Sequence, residues 1–253
     1  MPICFGQPLR HLSQYIQGIN LSFIIIFPLF GGNSITYQKI KYKIEKMNFF
    51  KRTEFTVLLG LVLVPAISFV FIMTSPESPL YTSISRIAWV HDRWLATFVW
   101  AIIVMGTILL LTYKLIKIGP MSEGGKRIFF LIQVVNICLV FIGCLLFPAK
   151  PDPETVRFVN YMHDYLTAIA WAMYGIGLIV YSIIIGRKNK FLGFMGCTIM
   201  AFVVWSSLFF LKQVIDPTSY VGASAVSEVY IINSLLIYLV VMYVLEEKAV
   251  DKA

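Results

Sequence analysis

A chain of 253 residues that is 58% hydrophobic and only 13% charged is not an ordinary soluble domain, in which roughly 25% of residues carry charge. Its mean hydropathy of +0.80 requires several segments whose solvent is lipid. The net charge of +8 comes from lysines and arginines beside apolar runs, not from a basic stripe interleaved with aromatics, which excludes a nucleic-acid groove.

Residues 1–46 hold one apolar stretch, Leu21 to Phe30, too short to span and weakened by Gln17, Asn20 and Pro28. No small-residue cleavage site follows it, so it does not read as a signal peptide. Met47 begins Met-Asn-Phe-Phe-Lys-Arg directly ahead of the first strong span, as a start of translation would. The expected organisation is an N-terminal extension or interfacial segment over 1–46 and a transmembrane domain over 47–253.

Six later runs reach the ~20 apolar residues that cross a bilayer. They are Phe55 to Met73, Trp94 to Tyr113, Ile128 to Phe147, Tyr161 to Ile185, Phe191 to Leu211 and Val221 to Leu245. Backbone groups in hydrocarbon must bond within their own segment, so each is a helix. The links are short and carry turn residues: Gly119-Pro120 and Gly124-Gly125, then Pro148, Pro151 and Pro153, then Arg187 to Lys190. Short links force neighbours antiparallel, and the expected fold is an all-α, six-helix membrane bundle. Pro65 should kink the first span. Gly175, Gly177, Gly193, Gly196, Ser206 and Ser207 should let helices approach closely. Cys138, Cys144 and Cys197 lie in apolar runs without CxxC spacing and read as packing residues.

Lysine and arginine set the orientation. One set of links holds Lys51, Arg52, Lys114, Lys117, Lys126, Arg127, Arg187, Lys188 and Lys190, and the tail adds Lys248 and Lys252. The opposite set holds only Arg86, Arg93, Lys150, Arg157 and Lys212. The richer side is cytoplasmic, giving a multi-pass plasma-membrane protein with both ends of its core inside. Glu77, Asp92, Asp152, Glu154, Asp164, Asp216 and Glu228 make the other face relatively acidic.

Two His-Asp pairs on that outer face carry the candidate chemistry. Arg86 precedes His91-Asp92, and Trp100-Ala101 follows; Arg157 precedes His163-Asp164, and Trp171-Ala172 follows. The second and fourth spans thus look like copies, and sites tend to form where membrane repeats meet. With Glu228 at the outer end of the sixth span, these groups share one membrane depth, where a compact bundle would gather them into one cup. Imidazoles and carboxylates suit zinc or another divalent ion, with His91, His163, Asp164 and Glu228 as the candidate metal ligands. The plainer reading is structural: Asp favours the first turn of a helix, and Arg86, Arg93 and Arg157 can pair with the acids. His11 is incidental. Within the membrane, Gln133 and Asn136 lie three residues apart on one face of the third span, where interhelical hydrogen bonding or a polar lining below the cup is expected. Lys212, Gln213 and Asp216 read as an interfacial cap on the fifth helix.

Phe147-Pro148, then Asp152, then His163 at the head of the next span, and later Ser227-Glu228, resemble a bacterial six- or seven-helix membrane family of unknown function, distantly similar to DRAM/FRAG-like proteins. The resemblance covers roughly Phe55 to Leu245. It departs at Val229, where that family commonly has Arg. It implies fold and location and no activity. The alkaline-ceramidase-like hydrolases are similar only by analogy, because no His follows His163.

Three functional readings follow. The first is a non-catalytic membrane protein with a binding, regulatory or protective role, whose partners are the bilayer and a lipid or small-molecule ligand. The second is a metal-dependent hydrolase or transferase acting on lipid or envelope substrates, with a spare carboxylate as general base. The third is a small-solute or proton-coupled carrier.

Overall fold

The computed structural model describes residues 53–80, 82–147, 162–215 and 225–250, all within one compact unit, Phe50–Ala253. The expectations for residues 1–46, Asp152, the Asp164 side chain, Ser206, Ser207, Lys212, Gln213 and Asp216 lie outside the described residues or side chains.

Among the described residues every element is helical. We number them α1 (Thr53–Met73), α2 (Ile84–Trp89), α3 (Trp94–Ile118), α4 (Glu123–Leu146), α5 (Thr167–Lys188), α6 (Lys190–Ile215) and α7 (Ala225–Val250). Five of them, α1, α3, α4, α5 and α7, are long and apolar enough to cross a membrane, and the Lys190–Trp205 part of α6 is an apolar helix as well. The chain is therefore a membrane-embedded, all-α bundle. Large side chains such as Phe69, Leu95, Ile128 and Phe194 are exposed on its flanks. So much outward apolar surface suits acyl chains rather than water.

The helices outrun the apolar stretches at the lysine-rich end. α3 continues to Ile118, α5 to Lys188, and α4 starts at Glu123. Lysine stems extend along apolar surface while their charges stay in water, so a helix can run a turn past its hydrophobic limit. At Pro65 the structure shows a change of helical register. The proline has no N–H to donate back along the helix, and just before it the Val64 N–H donates to the Leu59 carbonyl in a π turn, Leu59–Leu63. Gly60 lies in that turn, where an added Cβ would sit 2.5 Å from Val240 Cγ2, so α1 seats closely on α7.

Helices α4, α5, α6, α7 and α3 pack in that order around the bundle, α3 also touches α4, and α1 lies against α7 and α3. Buried tyrosines tie the interior together, each with an anchored hydroxyl. Tyr174 is 2.6 Å from the Thr112 hydroxyl, Tyr181 donates to the Leu115 carbonyl, and Tyr238 donates to the Leu178 carbonyl and meets Ser182. The α5–α6 hairpin is tighter than side chains would allow. A Cβ on Gly193 would overlap Gly186 Cα and come within 2.9 Å of its nitrogen, and one on Gly196 would meet Ser182 Oγ. Gly175, by contrast, faces only the end of Met200 at 3.8 Å, so close approach does not depend on it. Cys138 and Cys197 are free thiols, and Cys144 Sγ lies 3.7 Å from the Thr167 hydroxyl.

Candidate functional site

The candidate residues gather at the end of the bundle where α1 ends and α3, α5 and α7 begin. Between α1 and α3 the chain makes a turn and then the short helix α2. The first N–H groups of any helix have no partner within it. At α2 the Ser83 hydroxyl accepts from the Arg86 N–H at 3.2 Å, and Glu228 Oε2, reaching across from α7, accepts from the Ile84 N–H at 2.8 Å. The favour is returned. The Ala225 N–H of α7 donates to the Thr82 carbonyl at 2.6 Å and the Val226 N–H to the Pro79 carbonyl at 3.4 Å. Loop and helix thus cap each other, and the Glu228 carboxylate is a strut between chain segments 144 positions apart. Glu228→Gln, which keeps an acceptor oxygen, is expected to be nearly neutral. Glu228→Ala should lose about 1–2 kcal/mol, as N-cap deletions do, and thermal unfolding in detergent measures the difference.

His163 is buried in a π turn, Met162–Leu166, that leads into α5. Its Nδ1 lies 2.8 Å from the Gly143 carbonyl and 2.9 Å from the Phe147 carbonyl, both at the end of α4. Carbonyls only accept, so Nδ1 carries the proton and donates to both. The Trp94 indole donates to the Leu145 carbonyl of the same turn at 3.0 Å. The last four carbonyls of a helix lack intrahelical donors, and these two side chains supply donors to the Gly143, Leu145 and Phe147 carbonyls at the end of α4.

The other copy of the dipeptide has different surroundings. His91 Nε2 lies 3.4 Å from Glu77 Oε2, without hydrogen-bond geometry, and Arg86 Nη2 lies 4.0 Å from Glu77 Oε1. Asp92 is exposed and has φ 53°, the left-handed region, where Asp is tolerated better than most residues. It makes the turn into α3 and does not cap that helix, whose N-cap is Arg93 with no side-chain bond. The two histidines of the repeat thus have different environments.

His91, His163 and Glu228 are each engaged by different groups, and among the described residues, which leave out the Asp164 side chain, no three His, Cys, Asp or Glu side chains form a group that could hold a metal ion. The physical reason is backbone demand: His163 and Glu228 are drawn to unpaired carbonyl and amide groups at helix ends, not to each other. The expected hydrogen bonds of Gln133 and Asn136 across helices are also not made. Gln133 is fully buried with its amide against Gly177 of α5, where an added Cβ would overlap Nε2. Both its polar atoms, and Asn136 Nδ2, have no partner among the described residues.

What sequence reasoning missed is the loop itself. Arg86 Nε, Trp89 Nε1 and His91 Nε2, within or just after α2, and Ser75 Oγ, at the end of α1, are all buried with no hydrogen-bond partner among the described residues. A six-residue helix between two spans leaves no hydropathy signal, and only the Pro-Glu-Ser-Pro turn at 76–79 marks the place. No family profile, curated protein or solved structure matches this chain.

Proposed function

We propose that this is a plasma-membrane protein with a six-helix core, both ends of that core cytoplasmic, which binds a ligand at the outward α2 end and performs no covalent chemistry. One observation supports the binding role above the others: buried donors around α2 have no partner among the described residues, while His163 and Glu228, the groups a hydrolase would need, are engaged as helix caps. Unmet buried donors cost about 1–3 kcal/mol each, which a ligand would repay on binding. The residues behind the resemblance to the DRAM/FRAG-like family fit the same reading, since His163 donates to the carbonyl of Phe147. In this reading Phe147 and His163 form one cap instead of an active site. The orientation rests on the lysine-rich ends of α3 and α5 and on Lys248 near the end of α7.

The test separates structural from ligand-facing groups. Arg86→Gln and His91→Ala are expected to keep wild-type abundance and unfolding temperature but to fail to complement a deletion strain. His163→Ala and Glu228→Ala are expected to lose function only as far as they lose folded protein. A well-folded His163→Ala protein without function, beside fully active Arg86 and His91 variants, would reject the assignment.

A carrier is the second reading, favoured by the unpartnered amides of Gln133 and Asn136 inside the membrane. It predicts solute uptake in proteoliposomes that Gln133→Leu abolishes.

A further inference from the structure

The chemistry of the unmatched groups around α2 narrows the ligand. Arginine Nε and tryptophan Nε1 carry hydrogens and no lone pair, so each can only donate. Arg86 Nε and Trp89 Nε1 are both buried and unmatched. They stand three residues apart on α2, the spacing that puts side chains on one helix face. Ser75 Oγ and His91 Nε2 add two further buried polar atoms without a hydrogen-bond partner. The nearby acceptor is the Glu77 carboxylate, 4.0 Å from Arg86 Nη2 and 3.4 Å from His91 Nε2, and it bonds neither Arg86 Nε nor Trp89 Nε1. What would complete this cluster must therefore be rich in acceptor oxygens. It meets a guanidinium, whose planar fork favours phosphate and carboxylate oxygens.

Position narrows it again. α2 lies between the ends of two membrane-crossing helices, α1 and α3. At that depth the abundant acceptor-rich group is the phosphodiester of a lipid. Leu80 on the turn before α2 and Leu95 at the start of α3 are more than 60% exposed and offer apolar surface for acyl chains beside the donors. Tryptophan is enriched at this boundary for the same reason: one end of the indole is apolar and the other donates.

We infer that Arg86, Trp89 and His91 form a headgroup site for one phospholipid, whose phosphate meets the partly exposed Arg86 side chain and reaches Arg86 Nε and Trp89 Nε1 as the α2 loop shifts to admit it. This assignment rests on the binding role proposed above and names its ligand class. Phosphate oxygens could also arrive as free phosphate, so the test includes both sources.

Detergent-solubilised full-length protein is titrated in separate arms with short-chain phosphatidylglycerol, short-chain diacylglycerol and inorganic phosphate. Tryptophan fluorescence reports binding, and native mass spectrometry counts bound lipid. The expected result is saturable binding of one phosphatidylglycerol, weakened about tenfold or more in Arg86→Gln, as loss of a hydrogen bond to a charged group implies. Trp89→Phe, read by mass spectrometry, is expected to weaken it by a smaller factor and serves as the test if Arg86→Gln does not fold. Glu228→Gln should bind as wild type does. Equal binding of diacylglycerol, or an Arg86→Gln protein that binds normally, would overturn the site. Equal affinity for inorganic phosphate would overturn the lipid as its occupant. If phosphatidylglycerol fails to bind while Arg86→Gln still fails to complement, the lipid is wrong and the binding role stands; if both fail to show an effect, neither survives.

Discussion

Replacing His163 with alanine is expected to destabilise the folded protein by about 2–4 kcal/mol, because two end-of-helix carbonyls lose their donor at once. Nδ1 serves both the Gly143 and Phe147 carbonyls of α4. The imidazole is buried, so water does not simply take its place. His163→Gln, whose amide N–H groups can reach toward the same oxygens, should recover part of the loss. Equilibrium unfolding in mild detergent gives the numbers, and hydrogen exchange at the end of α4 should rise in the alanine variant alone. If His163→Ala unfolds with the wild-type midpoint, the cap assignment fails and the histidine must be explained by something it binds.

The second large effect is expected at Gly193. The α5–α6 hairpin turns so tightly that a Cβ there would overlap the backbone of Gly186 and come within 3.1 Å of the Ser182 carbonyl. Backbone cannot swing aside as the tip of a flexible side chain can. Gly193→Val is therefore expected to cost about 3 kcal/mol, the upper part of the overpacking range, or to drive the two helices apart altogether. Gly106 is the control, since nothing lies within 4 Å of the Cβ it lacks. Gly106→Ala should be neutral or gain up to about 1 kcal/mol from helix propensity. Thermal unfolding of the two variants side by side decides the matter. Equal stability would mean that the hairpin has room that its geometry denies.

These contrasts show what could be read from residues alone. Helix positions were legible, because a bilayer imposes a length and a polarity that a run such as Phe55 to Met73 cannot disguise. Trp94 and Met73 mark helix limits in both descriptions. The effect of Pro65 was legible as a disturbance, though its form as a π turn was not. The site was harder to read. Glu228 finds its donor at Ile84 and His163 finds its acceptors in the preceding helix. Such pairings depend on which helix ends meet, and hydropathy does not encode that. The His-Asp dipeptide misled for a related reason. Identical neighbours in sequence were given different jobs, one against Glu77 and the other against bare carbonyls. Tyr174, Tyr181 and Tyr238 also escaped notice, because a tyrosine inside an apolar run looks like any other large hydrophobe until a hydroxyl partner is found.

Helix α7 has the largest buried share of any membrane-crossing helix described, 56% of its apolar window, and it is also the one that completes the caps on the α2 loop. It leaves the ribosome after every other described helix. Until it inserts, the earlier helices must wait in the bilayer with the amide of Ile84 unmet and the face of α3 uncovered. A nascent chain that stops before residue 225 therefore lacks both the acceptor for the Ile84 N–H and the cover on α3.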